Sequence, residues 1–459
     1  MHPLLILVMG MTVVLGGIIV LRVNAFLALM VAAIIVSLLA GGDPATKITR
    51  VAEAFGRTAG NVGIVIALAA IIGKAMSDSG AADRIVRGFL SLLGEKRGGT
   101  AMTASGFVLS VPVFFDTVFF LLVPLARSLF TKTNRDYLKY LMAIAAGGVA
   151  THALVPPTPG PLAAAAALNV DLGVMMLVSI VVAAPAATAG LLFAGWANKH
   201  MPVPFRQVAA EAGAPQPLAD DALPGLGAAL LPVILPVLLI SANTIVNAVR
   251  AETWAMEAGI SGLAPYTAVL GNPNLALMLS AAIAVWVYVR QRRPSRAQVE
   301  GMVESALMSA GIIILITAAG GAFGGMLQVA EIGPAIQGLF AIEGSGTGIF
   351  YILLGFAVAS LLKLAQGSST VAIITTAAMI AAMIGDLTTL NINPVYLATA
   401  IGGGSLVGSW MNDSGFWVFT KMGGLTEAEA LRCWTPLLAI VGTTAMLATI
   451  VMSMILPLR

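Results

Sequence analysis

At 459 residues, 59% hydrophobic and only 10% charged, the chain carries too much apolar side chain and too little charge for a soluble enzyme. A mean hydropathy of +0.96 places it in the bilayer. The net charge of +3 is no argument for nucleic acid, because basic flanks are ordinary in cytoplasmic loops. One cysteine, Cys433, excludes an internal disulfide, and His2, His152 and His200 lie too far apart in sequence to suggest a metal cluster.

The N-terminus lacks the basic region of a cleaved signal sequence, so residues 3–21 read as a first span. Residues 25–41, 60–78, 172–196, 224–248, 266–288, 305–328 and 434–456 read as further spans of ordinary length. Segments 44–56, 80–95 and 295–304 look amphipathic and are expected along the interface. Residues 100–130 are too long for one crossing: apolar arms at 100–110 and 118–128 flank Val111-Pro112-Val113-Phe114-Phe115-Asp116-Thr117. Such an arm reaches about 16 Å, roughly half the hydrocarbon thickness, which predicts a re-entrant hairpin. Lys96 and Arg97 precede it and Arg127, Lys132, Arg135 and Lys139 follow, so both of its ends are expected in the cytoplasm.

Residues 140–168 form an interrupted span, broken between Thr151 and Gly160, where Pro156, Pro157, Pro159 and Pro161 prevent a helix. A linker at 199–223, with Pro202, Pro204, Pro215 and Pro217, separates two halves. The second half repeats the plan. Its hairpin, 346–385, turns at Gln366-Gly367-Ser368-Ser369-Thr370 between acidic flanks, Glu331, Glu343 and Asp386, and its ends are expected outside. Residues 395–420 are the second interrupted span, broken between Trp410 and Phe416. Unwound backbone in a bilayer survives only where it is buried or lines a cavity, so a matched pair of breaks points to a transport site.

Five crossings plus one returning hairpin make an odd unit, so two units must be inverted relative to each other. The predicted architecture is all-α and integral to the membrane, with ten crossings and both termini outside. Its parts are a first repeat at 1–198, the linker at 199–223 and an inverted repeat at 224–459. Gly63 with Gly311, Gly106-Phe107 with Gly355-Phe356, Thr117-Val118 with Thr370-Val371, and Ala143-Ile144 with Ala400-Ile401 match between them.

Four motifs, Val111 to Asp116, His152 to Pro161, Gln366 to Thr370 and Asn412 to Phe416, resemble the gluconate permease family of the ion transporter superfamily. Across essentially the whole chain the resemblance implies a proton symporter in the bacterial inner membrane for gluconate or a related small hydroxy or amino acid, D-serine included. It further implies an elevator-type fold, whose scaffold part forms a homodimer and whose transport part carries the hairpins.

A small sugar acid presents one carboxylate and a row of hydroxyls, and needs positive potential with short donors and acceptors. Ser368, Ser369 and Thr370, beside Gly367, sit at a helix N-terminus whose free N–H groups attract an anion. Thr151, Thr158, Asn412 and Ser414 offer hydroxyls and an amide from the breaks, and Thr117 and Pro157 complete the candidate substrate contacts. No arginine is expected at membrane depth, so dipoles and hydroxyls would hold the anion, with His152 as donor, proton relay or purely structural residue.

Burial disfavours an ionised carboxylate, which makes Asp116 and Asp413 the candidate proton carriers; capping of the adjacent half-helix is the alternative role. Lys363 is expected to snorkel or to pair. Gly402, Gly403 and Gly404 are expected to allow close helix packing. No cofactor is implied beyond the coupling proton, with sodium as the alternative ion for a carboxylate carrier of the same architecture. Gly259-Ile260-Ser261-Gly262 matches an intramembrane protease pattern, yet falls in an expected exterior loop, so no enzyme is expected.

Overall fold

The computed structural model describes residues 2–21, 23–201, 203–206, 219–250, 253–332, 347–387 and 390–458, and every regular element among them is a helix. Of the expected linker, Pro202 and residues 207–218 with Pro215 and Pro217 lie outside this set, as does Glu343 before the second hairpin. Among the described residues, eight helical stretches are long and apolar enough to cross a bilayer, counting the interrupted Tyr137–Ala167 as one.

The first half runs α1 (Pro3–Leu15), α2 (Ala25–Leu39), α3 (Thr49–Ser79), α4 (Ala81–Leu93), α5 (Gly98–Leu109), α6 (Phe115–Thr133), α7 (Tyr137–Leu154), α8 (Pro159–Ala167) and α9 (Leu172–His200). The second runs α10 (Leu226–Val249), α11 (Thr253–Glu257), α12 (Ala264–Leu270), α13 (Pro273–Arg292) and α14 (Arg296–Val329), then α15 (Thr347–Gln366), α16 (Ser369–Ile384), α17 (Val395–Gly404), α18 (Ser414–Gly423) and α19 (Glu427–Ile455).

Several expected boundaries move. Segments 49–56 and 296–304 are not separate interfacial pieces but the first turns of α3 and α14, because no proline interrupts the backbone ladder of either helix. Only α4 stands apart as expected, set off by Gly80 at φ +81° and burying Ala81, Ala82, Ile85 and Val86. The span expected at 266–288 is split at Gly271, since Asn272 caps α13 through a 3.0 Å bond to the Asn274 N–H and Pro273 donates nothing backwards. In the first hairpin the connector shrinks to 110–114, which puts Asp116 and Thr117 inside the first turn of α6. At 19 and 20 residues, α6 and α15 reach about 30 Å and exceed the expected half-thickness arms.

In each hairpin the arm ends away from the tip lie side by side. A methyl at Gly98, the start of α5, would stand 2.6 Å from Leu129 near the end of α6. At the start of α15, the Gly348 N–H donates to Asn391 Oδ1 at 3.1 Å, shortly beyond α16. The two hairpins open toward opposite ends of the bundle. Tyr137 Oη at the start of α7 donates to the Gly423 carbonyl at the end of α18 (2.8 Å), on the side where the first hairpin opens. Asn393 before α17 donates to the Leu458 carbonyl beyond α19 (2.9 Å), on the side where the second one opens.

Packing between the halves is reciprocal: α2 lies on α14 as α13 lies on α3, and α6 lies on α18 as α16 lies on α8. Small residues permit the closest crossings. A Cβ at Gly106 would meet the Ile144 carbonyl oxygen at 2.6 Å, and one at Gly147 would meet that of Thr103 at 2.1 Å, so α5 and α7 touch backbone to backbone. Gly402, Gly403 and Gly404 serve similarly against the carbonyls of Ala153, Gly442 and Phe356. Gly147→Ala should therefore lower the thermal unfolding temperature of the purified protein, by an overpacking cost of about 1–3 kcal/mol. Gly311→Ala, with nothing within 4 Å of its Cβ position, should not lower it.

Candidate functional site

Both hairpin tips and the second break converge on one cavity of about 420 Å³. The first tip contributes Phe114, Phe115 and Asp116; the second contributes Gly367 to Val371; the break contributes Asn412 to Gly415. Val149 and His152 from α7, Ile313 and Ile316 from α14, and Trp434 and Leu438 from α19 close its walls. Three helices, α6, α16 and α18, begin at this cavity, so their positive dipole ends are directed to it.

The second tip is pressed onto the break. Gly367 has φ +83°, and a Cβ there would lie 2.0 Å from the Asn412 carbonyl oxygen, so only glycine satisfies both the turn and the contact. Asn412 Nδ2 donates to the carbonyls of Leu364 (2.8 Å) and Lys363 (3.3 Å) at the end of α15, and Trp410 Nε1 also reaches Leu364 (3.0 Å). Ser368 Oγ caps α16 by accepting from the Val371 N–H at 3.3 Å, while Ser369 Oγ donates to the Ser405 carbonyl at 2.8 Å.

Asp413 is the most connected side chain. Its Oδ1 accepts from the Gly415 N–H at 3.0 Å, capping α18, and its Oδ2 accepts from Ser409 Oγ and from Lys363 Nζ, the latter at 2.6 Å. Lys363 is 1% exposed and also donates to the Gly367 carbonyl, so one ammonium joins the hairpin tip to the break. Trp434 Nε1 donates to Ser409 Oγ at 2.8 Å, and Phe115, Phe419 and Trp434 stack behind the pair as a low-dielectric wall. The pairing expected of Lys363 is realised, and the capping expected as the alternative for Asp413 is realised with it.

Asp116 is placed differently. It lines the cavity, accepts from Ser414 Oγ at 3.3 Å, and has no cation within ion-pair distance among the described residues. His152 stands edge-on to Phe114, with ring centroids 6.0 Å apart, and its buried Nδ1 has no partner among the described residues; nor does Asn412 Oδ1.

Of the residues singled out from sequence, Asp116, His152, Gly367, Ser368, Ser369, Thr370, Asn412, Asp413 and Ser414 come together here. Thr117, Thr151, Pro157 and Thr158 do not line the cavity. Thr117 lies one residue past Asp116 on α6, which turns it about 100° away. Thr151 Oγ1 bonds back to the Gly147 carbonyl (3.2 Å) within α7 and Thr158 Oγ1 to that of Val155 (2.6 Å) in the connector, so both hydroxyls are spent on nearby backbone. Pro157 is buried in the connector between α7 and α8, after a cis Pro156–Pro157 bond. Sequence reading left out Lys363 as a charge at the site; its position three residues before the tip in an otherwise apolar arm is the signal. Ser261 of the protease-like pattern donates to the Arg250 carbonyl at 2.7 Å and is remote from this cavity.

A sequence profile described as GntP family permease matches residues 2–455. The chain is 32% identical over 437 residues to a gluconate permease of Pseudomonas aeruginosa, covering 95% of this chain and 94% of that one. It is 31% identical over 437 residues to the inner membrane permease YgbN of Escherichia coli, covering 93% of each. Among solved structures, MtrF of Neisseria gonorrhoeae superposes with a TM-score of 0.67 at 15% identity over 95% of both chains, which shows a shared transporter fold. With its apolar helices and buried breaks, the chain is a multi-pass inner-membrane protein and belongs to the GntP family of permeases.

Proposed function

We propose that the protein is a proton-coupled symporter that imports gluconate or a closely related small hydroxy acid, and that Asp116 carries the proton. The likeness to the P. aeruginosa gluconate permease supports the substrate class. The observation that carries the coupling is the contrast between the two aspartates: Asp413 is committed to Lys363 and to capping α18, whereas Asp116 faces the cavity with one hydroxyl for company.

That contrast has an electrostatic consequence. Lys363 and Asp413 cancel each other, so an ionised Asp116 would leave the cavity net negative. Two like charges 6 Å apart repel by about 3 kcal/mol at an effective dielectric of about 20. A protonated Asp116 removes this repulsion and offers an O–H to the incoming carboxylate. Proton and anion then favour each other's binding, as symport requires. The three helix N-termini would supply the remaining positive potential, and Ser414, Thr370, His152 and Asn412, which line the cavity, are the proposed partners of the substrate hydroxyls.

Reciprocal packing of the halves, with hairpins opening to opposite ends, supports reading residues 1–198 and 224–459 as inverted units. Under that reading the basic end, with Arg127, Arg206 and Lys421, faces the cytoplasm and both termini face out.

Proteoliposomes in sodium-free buffer should accumulate gluconate when an inward proton gradient is imposed; accumulation that requires sodium would contradict the proposal. Asp116→Asn should abolish gradient-driven accumulation while gluconate counterflow persists, because binding remains and only the titrating group is gone. Lys363→Met or Asp413→Asn should instead destabilise the fold by about 3–5 kcal/mol, each leaving a buried charge unpaired. The double variant should recover much of that loss in thermal unfolding.

A further inference from the structure

A second cavity, of about 270 Å³, lies beside the central one, between α3, α8, α14 and α16. On α14, Ile316 lines the first and Thr317 the second; on α16, Val371 lines the first and Ile374 the second. Both cavities are walled by α14 and α16, which touch where a Cβ at Gly320 would stand 2.3 Å from Ile374 Cγ2. The second cavity lies on the side where the second hairpin opens, away from Arg127, Arg206 and Glu429.

Thr58 Oγ1 bonds back to the Ala54 carbonyl at 3.1 Å; the other polar side chains of the lining have no protein partner among the described residues, and four of them, Arg57, Asn61, Asn169 and Gln328, are exposed. Thr317 is 1% exposed and its hydroxyl has no hydrogen bond among the described residues. Arg57 is the only charged side chain in the described lining, and no carboxylate or carbonyl among the described residues engages its guanidinium. Asn61, Asn169 and Gln328 likewise line the cavity without a side-chain hydrogen bond to the described residues. One guanidinium and three amides match a carboxylate followed by hydroxyl groups, and the described lining holds no carboxylate to repel an anion.

We propose that this cavity is a second binding site for the transported hydroxy-acid anion, a station that Arg57 charges and that shares α14 and α16 as walls with the central cavity. It rests on the substrate class proposed above. Cysteine protection in the full-length protein tests it, because the one native cysteine, Cys433, is fully buried and silent toward a charged reagent. Gluconate at about ten times its dissociation constant should slow modification of Asn61→Cys by an anionic methanethiosulfonate about tenfold, and sorbitol should not.

The protection should survive Thr370→Trp, which fills the central cavity and removes gluconate protection of Ser414→Cys. It should disappear with Arg57→Gln while protection of Ser414→Cys remains, which also shows that the variant is folded. Protection of Asn61→Cys that is absent, or lost when Thr370→Trp blocks the centre, overturns the second site. Failure of gluconate to protect Ser414→Cys in an otherwise native chain would instead overturn the substrate assignment.

Discussion

A helix that stops inside a bilayer leaves N–H and C=O groups that no water can satisfy, and each costs several kcal/mol unless another part of the protein bonds it. In this chain the interrupted elements satisfy one another. The carbonyls that end α15 accept from Asn412 and Trp410 of the second break, the Ser405 carbonyl beyond α17 accepts from Ser369 of the second tip, and the N–H groups that begin α18 and α16 are met by Asp413 and Ser368. Neither element would be stable at that depth alone. The cavity is where these mutually capped ends face each other, so the site follows from the same constraint that holds the fold.

Charge is arranged under the same rule. Lys363 brings an ammonium to a place where an unpaired one would be prohibitive, and Asp413 neutralises it while keeping its second oxygen for the helix cap. Burial of this pair against Trp434, Phe115 and Phe419 fixes the tip on the break. Asp116 is free of that duty, and its protonation state therefore sets the net charge of the cavity rather than the integrity of the fold. Two aspartates, one at the first hairpin tip and one at the second break, thus take different work, one structural and one proposed to couple proton to anion.

A track of small residues runs beside these elements. Gly320 and Gly324 on α14 lie against Ile374 and Ala378 on α16, and Gly321 lies against Thr58 on α3. Such contacts bring backbones close without interlocking long side chains. The second cavity occupies the space these small residues leave, and its polar lining contrasts with the apolar contacts around it.

The sequence by itself determined what depends on local pattern: a membrane class from hydropathy, breaks from proline clusters and polar residues within apolar runs, and hairpins from arms flanked by charge of one kind. The tip at Gly367 to Thr370 and the break at Asn412 to Ser414 were legible for that reason. Partnership was not. That Lys363 meets Asp413 fifty residues away, that Thr151 and Thr158 spend their hydroxyls on nearby carbonyls, and that 49–56 and 296–304 continue into spans were decided by the tertiary structure. A side chain's character is written at its own position, but whether it is satisfied by protein or left for a ligand depends on which distant backbone groups the packing brings within bonding distance.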